Sequence, residues 1–179
     1  MDLTNLLPKF KIVEVNKLAG LLNGHIVAQA PHATAEGYLE NGQIFYLGAE
    51  ADAVLHGVAD FKAQPFLHYT EELLPFMNGN EYFAVEVQNG VAYPRLIGLY
   101  EGDEFTTNNI ANLEGVGAFT GWVNNAAWAI VQNNALTLVN ALPVSPATYT
   151  GPVFRAEKDR LAAGQVAARL TLIAKQIVV

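Results

Sequence analysis

The chain has 179 residues, a formal net charge of −7 and a sequence pI near 5.0, with 51% hydrophobic and 15% charged residues. This composition is typical of a folded protein of about one domain, and the acidic balance disfavours nucleic acid and anionic membranes as partners, because both attract Lys and Arg. The absence of cysteine excludes disulfides, thiolate metal sites and thiol nucleophiles.

Residues 1–10 are predicted to form an extended arm with one helical turn that ends at Pro8. The arm has no basic segment ahead of an apolar one, so we do not expect a signal peptide. Along the whole chain, no apolar run approaches the roughly 20 residues of a membrane-spanning helix. We therefore expect synthesis in a cytoplasm and no membrane partner.

Short alternating runs of apolar and polar residues predict strands in the first half of the chain. They lie at residues 11–15, 24–30, 43–47, 65–69 and 82–87. Small polar residues at 31–40 predict a surface loop, while residues 49–58 fit either a helix or a strand. Thr70 followed by two glutamates predicts a capped helical turn that stops at Pro75.

Four Asn-Gly dipeptides separate these runs. They lie at residues 23–24, 41–42, 78–79 and 89–90. Asn and Gly tolerate positive φ, which a tight type I′ turn requires, so the dipeptide is a strong hairpin signal. The sequence therefore predicts a series of hairpins over the first hundred residues.

The second half of the chain is punctuated by polar turns, prolines and Asn-Asn pairs. Residues 101–109 predict a tight turn followed by an extended Thr-rich piece, and further strands are predicted at 118–123, 126–132, 136–140, 153–155 and 166–175. Residues 156–163 fit a short helix ended by Gly164 or, as we favour, a hairpin.

The predicted fold is mainly β, an antiparallel β-sandwich or barrel with an extended N-terminal arm and one or two short helical turns. Residues 11–179 would form a single β-rich domain, with a subdivision near 101–115 left open. Low charge and high apolar content are compatible both with a well-packed monomer and with a chain that buries further surface by docking or oligomerising.

Side chains able to carry out catalysis form no recognisable pattern. The four histidines have no metal-ligand spacing, and Ser145 is the sole serine and lies between two prolines. Acidic pairs lie where turns and helix starts ordinarily place them. Residues 102–108 group oxygen ligands that could hold calcium, but they lack the EF-hand pattern and fit a self-bonded turn better. We predict no catalytic residue, no cofactor and no metal.

Aromatic side chains offer either core packing, a protein interface or a platform for sugars. Trp122 and Trp128 lie in the most Ala- and Asn-rich section and are our candidate anchors for a protein partner. The apolar residues of the arm are the other candidates, because apolar groups on an extended leader are buried only when a partner receives them. These arm residues are Leu3, Leu6, Leu7 and Phe10.

A series of short phrases in this order resembles small structural proteins of tailed bacteriophages, which are encoded near the major capsid protein. The phrases are Asp2–Phe10, His68–Leu73, Tyr82–Val87, Tyr93–Arg95, Gly102–Asn108, Val153–Arg155 and Ala168–Leu170. Such proteins include head-decoration or cement proteins and head fibres. This chain is longer than lambda-type decoration proteins, so their particular fold is not carried over.

The resemblance implies a non-enzymatic virion component at the capsid surface. Its partners would be the major capsid protein and neighbouring copies of itself, as a homo-oligomer such as a trimer. The alternative that the residues leave open is a carbohydrate-binding or host-adhesion module, which would use exposed aromatic side chains such as Trp122 or Tyr100.

Overall fold

The computed structural model describes residues 11–27, 30–34, 38–55, 64–70, 73–75, 81–86, 88–113, 127–142, 149, 151–161 and 166–175. These residues form one short helix, α1 (Ala19–Leu22), and sixteen strands. The strands are β1 (Val13–Lys17), β2 (Ile26–Val27), β3 (His32–Ala33), β4 (Tyr38–Glu40), β5 (Ile44–Leu47), β6 (Ala53–Leu55), β7 (Phe66–His68), β8 (Leu73–Pro75), β9 (Glu81–Glu86), β10 (Val91–Ala92), β11 (Leu96–Gly98), β12 (Glu104–Thr107), β13 (Ala127–Gln132), β14 (Ala135–Val139), β15 (Val153–Arg160) and β16 (Val166–Ala174). The predicted antiparallel, mainly β fold is confirmed.

The largest sheet has six antiparallel strands in the order β1-β12-β16-β15-β13-β14 and curls into a half-barrel. Its central pair, β15 with β16, runs from Arg160 opposite Val166 to Val153 opposite Ala174. Because side chains alternate along a strand, Leu170 and its even-numbered neighbours point into the core while Arg169 points away from it.

The chain between residues 26 and 98 builds three smaller antiparallel sheets. One has five strands in the order β2-β11-β7-β5-β6, one has three in the order β4-β9-β8, and β10 pairs with β3 alone. The chain passes between the five-stranded and three-stranded sheets twice, once from β4 to β5 and once from β7 to β8. The two crossings lie side by side, and they define the polar junction described below.

The main core lies between the six-stranded and five-stranded sheets. Phe105, Phe154 and Leu170 from the first sheet share one buried cluster with Leu67 and Ile97 from the second. The two phenylalanine rings meet edge to face, with their centroids 5.9 Å apart. Burying a side chain of this size contributes about 1.5–3 kcal/mol, so this cluster joins the two sheets.

The strands predicted from alternation at 11–15, 43–47, 65–69, 126–132 and 136–140 are confirmed as β1, β5, β7, β13 and β14, within two residues at each end. Asn133 and Asn134 have φ values of 51° and 62° and close the hairpin between β13 and β14. Residues 156–160 are strand and not helix, as favoured. The predicted turn at 101–102 leads into β12.

The Asn-Gly dipeptides do not close the predicted series of hairpins. Asn23 ends α1, and β1, which precedes that helix, pairs with β12 rather than with β2. Asn41-Gly42 joins strands of two different sheets. The Asn89-Gly90 turn closes only the single bridge between Gln88 and Val91. The local signal predicts a turn, but long-range pairing decides which strands meet.

Two further expectations were wrong. The predicted helical turn at 70–74 is replaced by β8, and the hydroxyl of Thr70 bonds to the ring of His68 instead of capping a helix. Pro75 is tolerated because β8 is the edge strand of its sheet. The predicted surface loop at 31–40 contains β3 and β4. Among the described residues α1 is the one helix, and it lies at a place that was not predicted.

Several predictions fall outside the described residues. These are the arm at 1–10 with its helical turn, the strand at 118–123, and the turns at 78–79 and 124–125. The single domain at 11–179 and the open subdivision near 101–115 stay predictions. The ambiguous segment 49–58 contains β6.

Candidate functional site

A buried polar junction ties the two crossings together. The Asn41 side chain, which is 2% exposed, binds both backbone groups of Thr70: its Oδ1 accepts from the Thr70 N–H at 2.8 Å and its Nδ2 donates to the Thr70 carbonyl at 3.0 Å. These are the two hydrogen bonds that the backbone of a residue in a neighbouring strand would make. Asn41 therefore replaces backbone pairing at the point where both chain segments leave the five-stranded sheet.

His68 completes the junction from β7. Its Nδ1 lies 2.9 Å from the Glu40 carbonyl, which can only accept, so Nδ1 carries the proton and Nε2 accepts from the Thr70 hydroxyl at 2.9 Å. Burial lowers the pKa of His68 to about 4, although the hydrogen bond to Glu40 opposes this and the nearby His32 adds to it. The ring is thus a neutral, fully bonded structural group.

The junction also contacts the six-stranded sheet. Asn109 follows β12 and donates from Nδ2 to the Asn41 carbonyl at 2.7 Å, while its N–H donates to the Thr107 hydroxyl. Gly42 has a φ of 91°, and a Cβ there would lie 2.7 Å from the Thr107 Oγ1 and 2.9 Å from the Asn109 Cβ. Three sheets therefore meet at a point that has no space for a side chain at residue 42.

At the edges of sheets, too, side chains bond to backbone groups that would otherwise pair with another strand. Asn112 accepts from the Leu138 N–H and donates to its carbonyl, both at 2.9 Å, along the outer edge of β14. His32 donates to the Ala53 carbonyl, and the Ala53 N–H donates to Pro31, along the edge of β6. An edge whose backbone groups are already bonded cannot pair with another chain.

Replacing Asn112 tests this edge protection. Asn112→Ala leaves the Leu138 N–H and carbonyl unpaired, so we expect a loss of about 1–3 kcal/mol in the free energy of unfolding together with increased aggregation. Urea unfolding and light scattering measure the two effects. Gln132→Ala, at an exposed position of the adjacent strand, is the matched control and should change stability by less than about 0.5 kcal/mol. Equal effects of the two substitutions would contradict the role of Asn112.

The face of the six-stranded sheet that points away from the core, which we call the outer face, carries cross-strand charge pairs. Arg169 on β16 places Nε and one terminal nitrogen 2.9 Å from the same oxygen of Asp159 on β15, and lies 3.9 Å from Glu104 on β12. Thr106 donates to Asp159 and accepts from Asn16 on β1. A polar network thus spans four neighbouring strands.

This network stabilises the ionised form of Asp159. Partial desolvation alone would raise the pKa of its carboxyl, but hydrogen bonds from the Arg160 N–H, Arg169 and Thr106, and the charge of Arg169, hold that pKa below its usual value. In turn Asp159 raises the pKa of Arg169. The pair is part-exposed, so it contributes more to the order of the side chains on the outer face than to stability.

An apolar patch occupies the β13 side of the outer face. Trp128 lies opposite Arg155 and Val139 in the sheet and packs half-buried on the small cluster of Ile130, Tyr149 and Val153. The Tyr149 hydroxyl donates to the Pro152 carbonyl at 2.6 Å and accepts from the Val131 N–H at 3.0 Å, and burial raises its pKa. Trp128 therefore packs on a hydrogen-bonded cluster, on the same face of the sheet as the charge pairs.

A second half-buried cluster surrounds Tyr100. His25 Nδ1 lies 2.5 Å from the Tyr100 hydroxyl, and Lys175 Nζ lies 4.7 Å from the centre of the same ring. Lys175 also donates to Gln64, which in turn donates to the Leu99 carbonyl. These contacts hold the end of β16 against the connection that precedes β7.

Of the predicted interface residues, Trp128 alone falls within the described ranges. Trp128 lies on the outer face, whereas Trp122 and the four arm residues Leu3, Leu6, Leu7 and Phe10 lie outside the described residues. Tyr100 is engaged by His25 and Lys175, and Tyr93 is the more open aromatic, at 55% exposed. No sequence pattern marks the side chains of Asn41 and Asn112 as hydrogen-bonding groups, because their partners are 29 and 26 residues away.

Comparisons with protein-family models, with curated proteins and with solved structures each find no match. Within the described ranges, no helix is long and apolar enough to cross a membrane. Across the same ranges, no group of three or more potential ligands is placed to hold a metal ion. The phage resemblance therefore stays a prediction.

Proposed function

We propose that this chain is a non-enzymatic virion structural protein that binds the capsid shell of a tailed bacteriophage and stabilises or decorates it. Its partners are the major capsid protein and neighbouring copies of the chain, and no cofactor takes part. The observation that carries the proposal is the outer face, where Trp128 packs on the cluster of Ile130, Tyr149 and Val153 and lies opposite Arg155. The Arg169–Asp159 pair lies on the same face, further along β15. Trp and Arg are the side chains most enriched where protein partners bind.

The use of the buried polar side chains supports the non-enzymatic part of the proposal. His32 and His68 both donate to backbone carbonyls, and Asn41, Asn112 and their partners form closed hydrogen-bonded pairs. Groups committed in this way stabilise the fold and are poorly placed to exchange protons with a substrate.

Binding to purified heads that lack the chain tests the proposal. Deletion of residues 1–10 should abolish co-sedimentation with heads, and Trp128→Ala should weaken it by about tenfold or more, as expected for an aromatic anchor. Circular dichroism should show that both variants keep the β fold. Tyr93→Ala, which removes an exposed aromatic away from the outer face, is the control. Wild-type occupancy by both the deletion and the Trp128 variant would contradict the proposal.

The alternative function is a carbohydrate-binding or host-adhesion module. The observation in its favour is the exposure of Tyr93, since a sugar needs an accessible aromatic face. A glycan array with the full chain separates the two functions: tight, sugar-specific binding that is lost in Tyr93→Ala would favour adhesion over capsid binding.

A further inference from the structure

We propose that Asn23 is a site of spontaneous covalent modification, at which the side-chain amide is lost through reaction with the backbone nitrogen of Gly24. The inference is independent of the proposed function. It rests on the different surroundings of three Asn-Gly dipeptides, at Asn23, Asn41 and Asn89, which the sequence alone would treat as equivalent.

The reaction needs an accessible side-chain amide and a backbone nitrogen that can approach it. The Gly24 nitrogen attacks the Asn23 Cγ, an N–C bond closes a five-membered succinimide, and the Cγ–Nδ2 bond breaks to release ammonia. The amide proton of Gly24 leaves to solvent and ammonia takes up a proton. Water then opens the ring at either carbonyl, giving aspartate or isoaspartate. No oxidant, metal or enzyme is required.

Asn23 meets both conditions. It is exposed at the end of α1, outside any strand ladder, and Gly24 beside it is exposed too. A Cβ on Gly24 would meet nothing within 4 Å, so no neighbouring group crowds the dipeptide. The Asn23 N–H donates to the Ala19 carbonyl and the Gly24 carbonyl accepts from the Ile26 N–H, both at 2.9 Å. The Gly24 N–H reaches the Leu21 carbonyl at 3.4 Å, longer than a normal hydrogen bond of about 2.7–3.2 Å, so the attacking nitrogen is weakly held.

Asn41 meets neither condition. Its side chain is 2% exposed and is fixed by two hydrogen bonds to Thr70. The Gly42 N–H donates to the His68 carbonyl at 3.0 Å. Ring closure would break all three bonds within the buried junction, so the folded structure protects Asn41.

Asn89 lies in a different kind of turn. It is exposed, but its φ of 53° belongs to a tight turn closed by two 3.0 Å hydrogen bonds between Gln88 and Val91. Reaction there requires the turn to open first. Backbone hydrogen bonds also flank Asn23-Gly24, so we expect Asn23 and Asn89 both to react faster than Asn41, and the contrast between Asn23 and Asn41 tests the proposal.

The modification would change a specific surface. Leu22, directly before Asn23, is 84% exposed, so the product places a new carboxylate beside the most exposed large apolar side chain among the described residues. Isoaspartate also adds a methylene to the backbone at the end of α1. Aged protein would therefore differ from fresh protein in charge and backbone geometry at the end of α1.

The test is incubation of the folded full chain in mildly alkaline buffer, followed by peptide fragmentation mass spectrometry at each dipeptide. We expect Asn23 to react about tenfold or more faster than Asn41, because reaction at Asn41 requires local opening. Asn23→Gln should remove the product at residue 23 and leave the melting temperature unchanged. In urea the three rates should converge. Equal rates at Asn23 and Asn41 in the folded chain, or an Asn23 that reacts only in urea, would overturn the proposal.

Discussion

Gly42→Ala is expected to destabilise the protein by about 2–5 kcal/mol, a large part of the 5–15 kcal/mol that stabilises a typical domain. Two unfavourable contributions to the free energy of folding combine at this position. The φ of 91° lies in the region that L side chains rarely adopt. In addition, the new Cβ would overlap the Thr107 hydroxyl, which donates to the Ile12 carbonyl, and the Asn109 Cβ, whose side-chain amide donates to the Asn41 carbonyl.

Gly102→Ala separates the two costs. Gly102 has a similar φ of 88°, but a Cβ there would meet nothing within 4 Å. The control should therefore show the conformational cost alone, about 1–2 kcal/mol. Urea unfolding of both variants, compared through their midpoints, measures the difference. A Gly42 variant no less stable than the Gly102 variant would contradict the tight meeting of three sheets at this point.

Acid is expected to weaken the fold through His68. In the folded state its pKa is about 4, and in the unfolded chain it returns to about 6.5. Between these values the unfolded state binds more protons, so the free energy of unfolding falls as the pH drops from 6.5 to 4. The gap between the two pKa values corresponds to about 3 kcal/mol.

His68→Asn isolates this contribution, because the asparagine amide can still donate to the Glu40 carbonyl but does not titrate. The variant should be less stable than wild type at pH 7, and its stability should change less between pH 6.5 and 4.5. Urea unfolding across this range measures the slope. Parallel pH profiles for the two proteins would mean that His68 is not held neutral by burial.

The local conformation of the turns could be predicted from the sequence, whereas the pairing of the strands could not. Gly24, Gly42 and Gly90 all have positive φ, as Asn-Gly dipeptides favour. Yet each turn serves a different purpose: the end of a helix, a crossing between sheets, and a single bridge. Pairing depends on burial across the whole chain, as when β1 pairs with β12 some 90 residues away, and local turn chemistry contains no such information.

The asparagines that bond to distant backbone groups could not be predicted from the sequence either. Asn41, Asn112 and Asn108 each bind backbone groups of residues far away in sequence, Thr70, Leu138 and Ile12 respectively. In the sequence these asparagines look like ordinary turn residues. Trp128 is predicted from the sequence because a large aromatic among small residues stands out, and the alternation of β13 places it on the outer face. Its role as an anchor for a partner stays a prediction.

Cryo-electron microscopy of heads assembled with and without the full chain tests the proposed role most directly. We expect density of a curled, mainly β protein on the outside of the shell, in contact with the major capsid protein, with Trp128 in an interface. The density should be absent when the chain is omitted. Reconstructions that are identical with and without the chain would contradict a capsid-binding function.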